Sequence, residues 1–144
     1  MLMEQRLTLI TLGVADVHRA TEFYEQKFGW KKAASSNDDI TFFMLNGIML
    51  SLFNRESLAE DAAVVSSAGT GFKGFTLAWN ARSEAEVDAI VGDLKSKGVT
   101  VVKEPQQVFW GGYSGYVADV DGNLWEIAFN PFLPMDERGN VVPG

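Results

Sequence analysis

A chain of 144 residues has room for one domain of ordinary size, and a composition 47% apolar and 22% charged rules out a wholly disordered chain. Twelve basic against nineteen acidic residues give a net charge of −7, a field that repels phosphate backbones and acidic membrane surfaces and favours neutral or cationic small partners. With no cysteine there is no disulfide framework, no thiolate nucleophile and no thiolate metal site.

No apolar run approaches the roughly 20 residues of a membrane span. The first six residues bring an acid early and no long apolar stretch before a small-residue cleavage site, so cytoplasm is the expected compartment. Residues 7–14 are apolar and β-favouring, and read as a strand buried on both faces. Asp16 is placed to N-cap a helix over 18–27, where Ala20, Phe23, Tyr24 and Lys27 follow helical spacing and Gly29 supplies the stop. A second strand is predicted over 30–33, then a turn at Asn37-Asp38-Asp39. Residues 40–45 and 48–53 flank Asn46-Gly47, the strongest two-residue hairpin signal. The Ala/Ser-rich stretch 55–71 lacks a period and reads as a linker, with a helical turn or two around 58–65.

The same order then returns. Residues 75–79 form a strand, with Trp79 facing the helix side as core. Ser83 and Glu86 make a capping box. Val87, Ile90, Val91 and Leu94 share one helix face, and Gly98 ends the helix. A short strand over 99–102, a loop over 105–112, a strand over 113–120, the Asp121-Gly122 turn and a last strand over 124–129 complete the second half. The tail from Pro131 is turn-rich.

Two halves are therefore expected, each strand, helix, strand, strand, strand. Ile10-Thr11-Leu12-Gly13-Val14 matches Phe75-Thr76-Leu77-Ala78-Trp79. Phe28-Gly29-Trp30 matches Lys97-Gly98-Val99, and Phe53-Asn54 matches Phe129-Asn130. The fold class is α+β: one domain over 1–144, with module one at about 7–54, linker 55–71, module two at about 72–130 and a tail over 131–144.

Leu12-Gly13-Val14-Ala15-Asp16 with Phe23-Tyr24 and Phe28-Gly29-Trp30, and in the second half the run from Gly115 through Asp119-Val120-Asp121-Gly122-Asn123 to Glu126, resemble the vicinal oxygen chelate superfamily of glyoxalases, extradiol dioxygenases, fosfomycin-resistance enzymes and bleomycin-binding proteins. The resemblance runs from about Leu7 to Asn130. It implies two βαβββ modules whose curved mixed sheets surround a cavity, a homodimer, and in metal-bearing members one ligand on the first and one on the last strand of each module. Carried over position by position, those sites fall on Leu9, Leu50, Gly74 and Glu126. Only Glu126 can hold a divalent ion, and one carboxylate binds it weakly, whereas a catalytic ion needs three or four His, Glu or Gln ligands. A slip of one residue would bring in Thr8 or Ile10 and Ser51. No cofactor is expected beyond a weakly held ion at Glu126. The single histidine, His18, is expected at the surface.

Strand alternation puts Glu126 on the cavity face and Trp125, Ile127 and Phe129 under the helices. The same inward orientation would have Leu50, Leu52, Thr11 and Thr76 line the cavity. Trp110, Tyr113 and Tyr116, on or beside a glycine-rich loop, could stack on a planar ligand or form a lid. No phosphate loop is present, since 69–74 lacks the strand-loop-helix setting and the Lys-Ser/Thr pair. One histidine makes a Ser-His-Asp arrangement implausible, and scattered basic residues leave no nucleic-acid footprint. Three functions stay open. The first is a metal-independent protein binding a small aromatic or cationic molecule. The second is a lyase, isomerase or dioxygenase-type enzyme with Glu126 as metal ligand or general base, and the third is an interaction protein.

Overall fold

The computed structural model describes residues 3–66 and 71–143. Its chain divides into two compact units, 1–69 and 70–144. In the first, β1 (Leu9–Val14), α1 (Val17–Gln26), β2 (Ile40–Met44), β3 (Met49–Asn54) and α2 (Arg55–Asp61) follow in order. β3 is the central strand, parallel to β1 and antiparallel to β2. The β2–β3 hairpin closes on Asn46-Gly47: the Leu45 amide donates to the Ile48 carbonyl at 2.9 Å, and Gly47 takes φ +81°, which a residue with a Cβ resists.

Asp16 caps α1, its carboxylate accepting from the Arg19 amide at 3.2 Å. The helix buries Val17, Ala20, Thr21, Phe23 and Tyr24 along one stripe. Against it stand Phe43, whose ring centroid lies 5.8 Å from that of Tyr24, and Thr41, whose hydroxyl bonds Thr21 at 2.7 Å. Phe43 and Thr41 are cross-strand neighbours of Leu50 and Leu52. Those two leucines therefore share the helix-facing side, and they are 1% and 0% exposed. They are core residues and do not line an open face, contrary to the sequence expectation.

The strand predicted over 30–33 does not form. Trp30 turns its ring onto Tyr24 and Phe28, with centroids 5.8 and 5.2 Å away. The Ala33 amide reaches β2, donating to the Phe42 carbonyl at 2.7 Å, while the Phe42 amide donates to the Ser36 hydroxyl at 2.9 Å. A side chain thus satisfies the edge where a fourth strand was expected. The helix in the linker starts earlier than expected, because Asn54 caps it by accepting from the Ser57 amide at 3.1 Å. Residues 67–70 of that linker lie outside the described residues.

The second unit carries β4 (Leu77–Asn80), α3 (Glu84–Ser96), β5 (Thr100–Gln107), β6 (Tyr113–Ala118) and β7 (Leu124–Phe129), in sheet order β4-β7-β6-β5 with β4 parallel to β7. Ser83 caps α3 by accepting from the Glu86 amide at 3.1 Å, and Glu86 reaches back to the Arg82 amide at 3.0 Å. Val87, Val91 and Leu94 are buried on α3, as are Val117, Trp125 and Ile127 on the strands it packs against. Trp79 is the register partner of Ile127 yet stays 36% exposed, so it is not core.

β5 runs five residues further than predicted, past Pro105, by way of two register shifts against β6. Gly115 permits this: a Cβ there would lie 2.7 Å from the Lys103 carbonyl oxygen and 2.9 Å from the Pro105 nitrogen. The loop shrinks to 108–112. Among the described residues no helix is long and apolar enough to cross a membrane.

Candidate functional site

The face of the second sheet turned away from α3 is set by β7. Trp125 and Ile127 go under the helix, so Leu124, Glu126 and Ala128 point the other way. Tyr116 on β6 is the cross-strand partner of Glu126. Its phenol donates to Glu126 Oε2 at 3.3 Å. Thr76, just ahead of β4, adds a hydroxyl within hydrogen-bonding reach of the same phenol oxygen. Burial first, then the Glu126 charge and its hydrogen bond, hold the Tyr116 phenol above the ordinary tyrosine range, and Thr76 partly offsets them. The result is a half-buried carboxylate with a protonated phenol beside it, able to accept from or pair with a ligand's donor.

Sequence comparison of the halves had matched Glu126 with Leu50 and Thr76 with Thr11. Register corrects both. Within β1 and β3, Thr11 pairs with Ser51; within β4 and β7, Ala78 pairs with Glu126. Counting seven residues back from the caps Asp16 and Ser83 reaches Leu9 and Thr76. The equivalent positions are therefore Leu9, Ser51, Thr76 and Glu126, with Ser51 in place of Leu50. Thr76 replaces Gly74, which sits in a bend at φ +89°. In the first unit the Thr11 and Ser51 hydroxyls bond each other at 2.6 Å, and Leu9 is 38% exposed.

Neither unit's donors fit a resident catalytic ion. The second offers one carboxylate and the hydroxyls of Thr76 and Tyr116, the first a leucine and the Ser51 hydroxyl, and neither an imidazole at these positions. Among the described residues no three His, Cys, Asp or Glu side chains gather. His18 is exposed on α1.

Tyr113 does not join the site. Its hydroxyl donates to Asp88 of α3 at 2.6 Å, on the helix side, and that bond holds its phenol above the usual range. Trp110, 41% exposed, folds its ring over Gly112 of its own loop, where a Cβ would collide with it. Phe132 of the tail lies against Gly111.

The Asp-x-Asp-Gly-Asn run is structural. Asp119 Oδ1 accepts from the Asp121 and Asn123 amides at 2.9 and 2.8 Å, and Oδ2 from Asn123 Nδ2 at 2.8 Å. Sequence reasoning missed what lies beside it. A cavity of about 330 Å³ is lined by Phe72, Lys73, Phe75, Asn123 and Leu124, among others. Lys73 Nζ donates to the Asp121 carbonyl at 3.1 Å and to Asn123 Oδ1 at 2.9 Å. The only sequence signal was a lysine between aromatic residues in a glycine-rich stretch.

The family model of the Glyoxalase/Bleomycin resistance protein/Dioxygenase superfamily matches residues 6–127. A glyoxalase-related enzyme from Fulvimarina pelagi is 35% identical in sequence, with coverage of 98% of this chain and 99% of that chain and a TM-score of 0.86. The fosfomycin resistance protein FosX of Listeria innocua serovar 6a is 29% identical over 127 residues, 84% of this chain and 86% of that protein. Lactoylglutathione lyase from Agrobacterium tumefaciens has the same fold at 22% identity, with a TM-score of 0.69 over 88% of this chain and 95% of its own.

Proposed function

The chain belongs to the glyoxalase/bleomycin resistance protein/dioxygenase superfamily, and on that premise we propose that it binds a small organic molecule at Thr76, Tyr116 and Glu126 without a resident metal ion. The ligand presents a cation or a hydrogen-bond donor to Glu126. One observation carries this reading: the half-buried Glu126 carboxylate is partnered by the Tyr116 phenol, which Thr76 in turn reaches, and Thr76 is a hydroxyl at a position where metal-bearing relatives would need imidazole or carboxylate. The chain's charge of −7 favours the same class of ligand.

The test is a melting screen of aromatic cations and carbonyl compounds, with metal analysis of the dialysed protein alongside. A ligand at a hundred times its Kd stabilises by about 3 kcal/mol. At least one compound should raise Tm in the wild type and in Tyr113→Phe but not in Glu126→Gln. A screen with no Glu126-dependent shift refutes the binding reading, and a divalent ion retained at one per chain refutes its metal-free part.

A second reading is favoured by the Tyr116–Glu126 hydrogen bond. A carboxylate beside a phenol held protonated can take one proton and give another, so the pair suits acid–base catalysis, with Glu126 as base and Tyr116 as acid. Fosfomycin, named in one relative, is a first substrate to try, although its anionic phosphonate suits this acidic chain poorly. Turnover lost in both Glu126→Gln and Tyr116→Phe would select the enzyme.

A further inference from the structure

We infer that the ligand is dipolar, with an anionic oxygen group seated on Lys73 and a donor group at Glu126. This rests on the binding reading above and extends it to the other end of the ligand. Leu124 lines the Lys73 cavity and lies on the same side of β7 as Glu126. The cavity and the carboxylate therefore open on one sheet face, two residues apart along one strand.

Lys73 is built to hold a charge there. Its two bonded acceptors, the Asp121 carbonyl and the Asn123 amide oxygen, are neutral, and among the described residues they use two of the ammonium's three donors. The neighbouring Asp119 carboxylate accepts three hydrogen bonds from its own turn. Lys73, its ammonium held by those two bonds, thus lines the cavity together with the exposed rings of Phe72 and Phe75 and with Leu124. Rings and an aliphatic side chain receive an apolar body; the lysine receives an anion. Asn123, which holds Lys73, is three residues from Glu126, a backbone span of roughly 10 Å at about 3.3 Å per residue. An ω-amino aryl carboxylate, with its charges at opposite ends of a rigid ring, is the class of ligand suited to reach across it.

Calorimetric titration with three probes of one skeleton tests this: para-aminomethyl-phenylpropanoate, its carboxamide, and para-methyl-phenylpropanoate. The dipolar probe should bind at least tenfold tighter than either of the others. In Lys73→Gln, where the amide still donates to the Asp121 carbonyl but the charge is gone, the advantage over the carboxamide should vanish. Lys73→Arg should keep it, and equal melting temperatures for the two variants would show that the turn survives. In Glu126→Gln the advantage over the methyl probe should vanish. Equal binding of carboxylate and carboxamide, or a Lys73→Gln variant that still distinguishes them, overturns the dipolar ligand while Glu126-dependent amine binding leaves the binding reading standing. Loss of all Glu126 dependence with Lys73 dependence retained sinks the binding reading and the dipolar ligand with it, leaving a simple anion site at Lys73, and no binding by any probe likewise sinks both.

Discussion

The chain contains its own control for the stability of the family's aspartate turn. Asp119-Val120-Asp121-Gly122-Asn123 and Asp136-Glu137-Arg138-Gly139-Asn140 fold alike. In the tail, Asp136 accepts from the Arg138 and Asn140 amides at 2.9 Å each and from Asn140 Nδ2 at 3.0 Å, matching Asp119 bond for bond. Gly122 and Gly139 take φ +80° and +83° at the same place. Environment separates the two turns: Asp119 and Asn123 are 7% and 3% exposed, while Asp136 and Asn140 are half-buried beside the exposed Glu137 and Arg138. Asp119→Ala strands two backbone amides and a side-chain amide where water enters with difficulty. At roughly 1–3 kcal/mol per stranded group, discounted for relaxation, the loss should be about 3–5 kcal/mol. Asp136→Ala leaves the same groups where solvent can reach them and replace the carboxylate, although the Asn140 hydrogen bonds hold the Asp136 carboxyl below the usual range, so its loss should be clearly smaller than that of Asp119→Ala. Urea unfolding followed by tryptophan fluorescence reads both, with an unchanged slope confirming a change in stability alone. Equal losses in the two variants would refute burial as the source of the cost.

Three further outcomes follow from the geometry. Tyr116 has its phenol pKa raised in the folded state, so its contribution to stability is full below the ordinary tyrosine value of about 10 and is lost as pH rises through the folded value. Tyrosinate absorbance of the wild type minus that of Tyr116→Phe should give this titration, and Glu126→Gln should move it back toward the ordinary value. Gly115→Ala should cost about 1–3 kcal/mol, since its methyl meets backbone atoms of Lys103 and Pro105. Gly92→Ala, in the exposed middle of α3 with nothing within 4 Å, should add about 1 kcal/mol, and denaturant midpoints check both signs. Leu52→Ala, at 0% exposure on the helix side of β3, should cost about 2–5 kcal/mol in the same assay; a cost below about 1 kcal/mol would return Leu52 to an open face.

The elements with local signals were legible. Residues 124–129 form β7 as read, because a glycine turn precedes a clean alternation, and Asn46-Gly47 fixes its hairpin. Where two structures compete for the same residues, the local pattern failed. Trp30 looks like a strand residue but gains more from the Tyr24 and Phe28 rings. Asn54 was a legible cap for α2, hidden by the Ala/Ser-rich stretch that follows. The site suffered most from a slip of one residue. Phe53-Asn54 and Phe129-Asn130 look equivalent, yet pairing makes Ser51, not Leu50, the counterpart of Glu126. With a side-chain period of two, that slip exchanges the core for the open face. The Lys73 cavity was beyond reach, because 50 residues separate Lys73 from the Asn123 side chain that holds it.

Ser51 also accounts for the difference between the two units at equivalent positions of their sheets. Thr11 and Ser51 satisfy each other at 2.6 Å with Ser51 fully buried, so the first unit offers a ligand nothing unpaired at the equivalent place. Glu126 has room for about four donors and, among the described residues, receives one bond at 3.3 Å. A double-mutant cycle exposes this difference. Ser51→Ala alone leaves the Thr11 hydroxyl without its partner and should cost about 1–2 kcal/mol; Thr11→Val alone should cost about the same. Removing both replaces a hydrogen-bonded pair by apolar groups of similar shape, so the double variant should lose clearly less than the two single losses added together. It should also bind the Glu126-dependent probe as the wild type does. A double variant that folds with near-native stability but no longer binds would place part of the ligand on Thr11 and Ser51, and a site confined to the second unit would have to be given up.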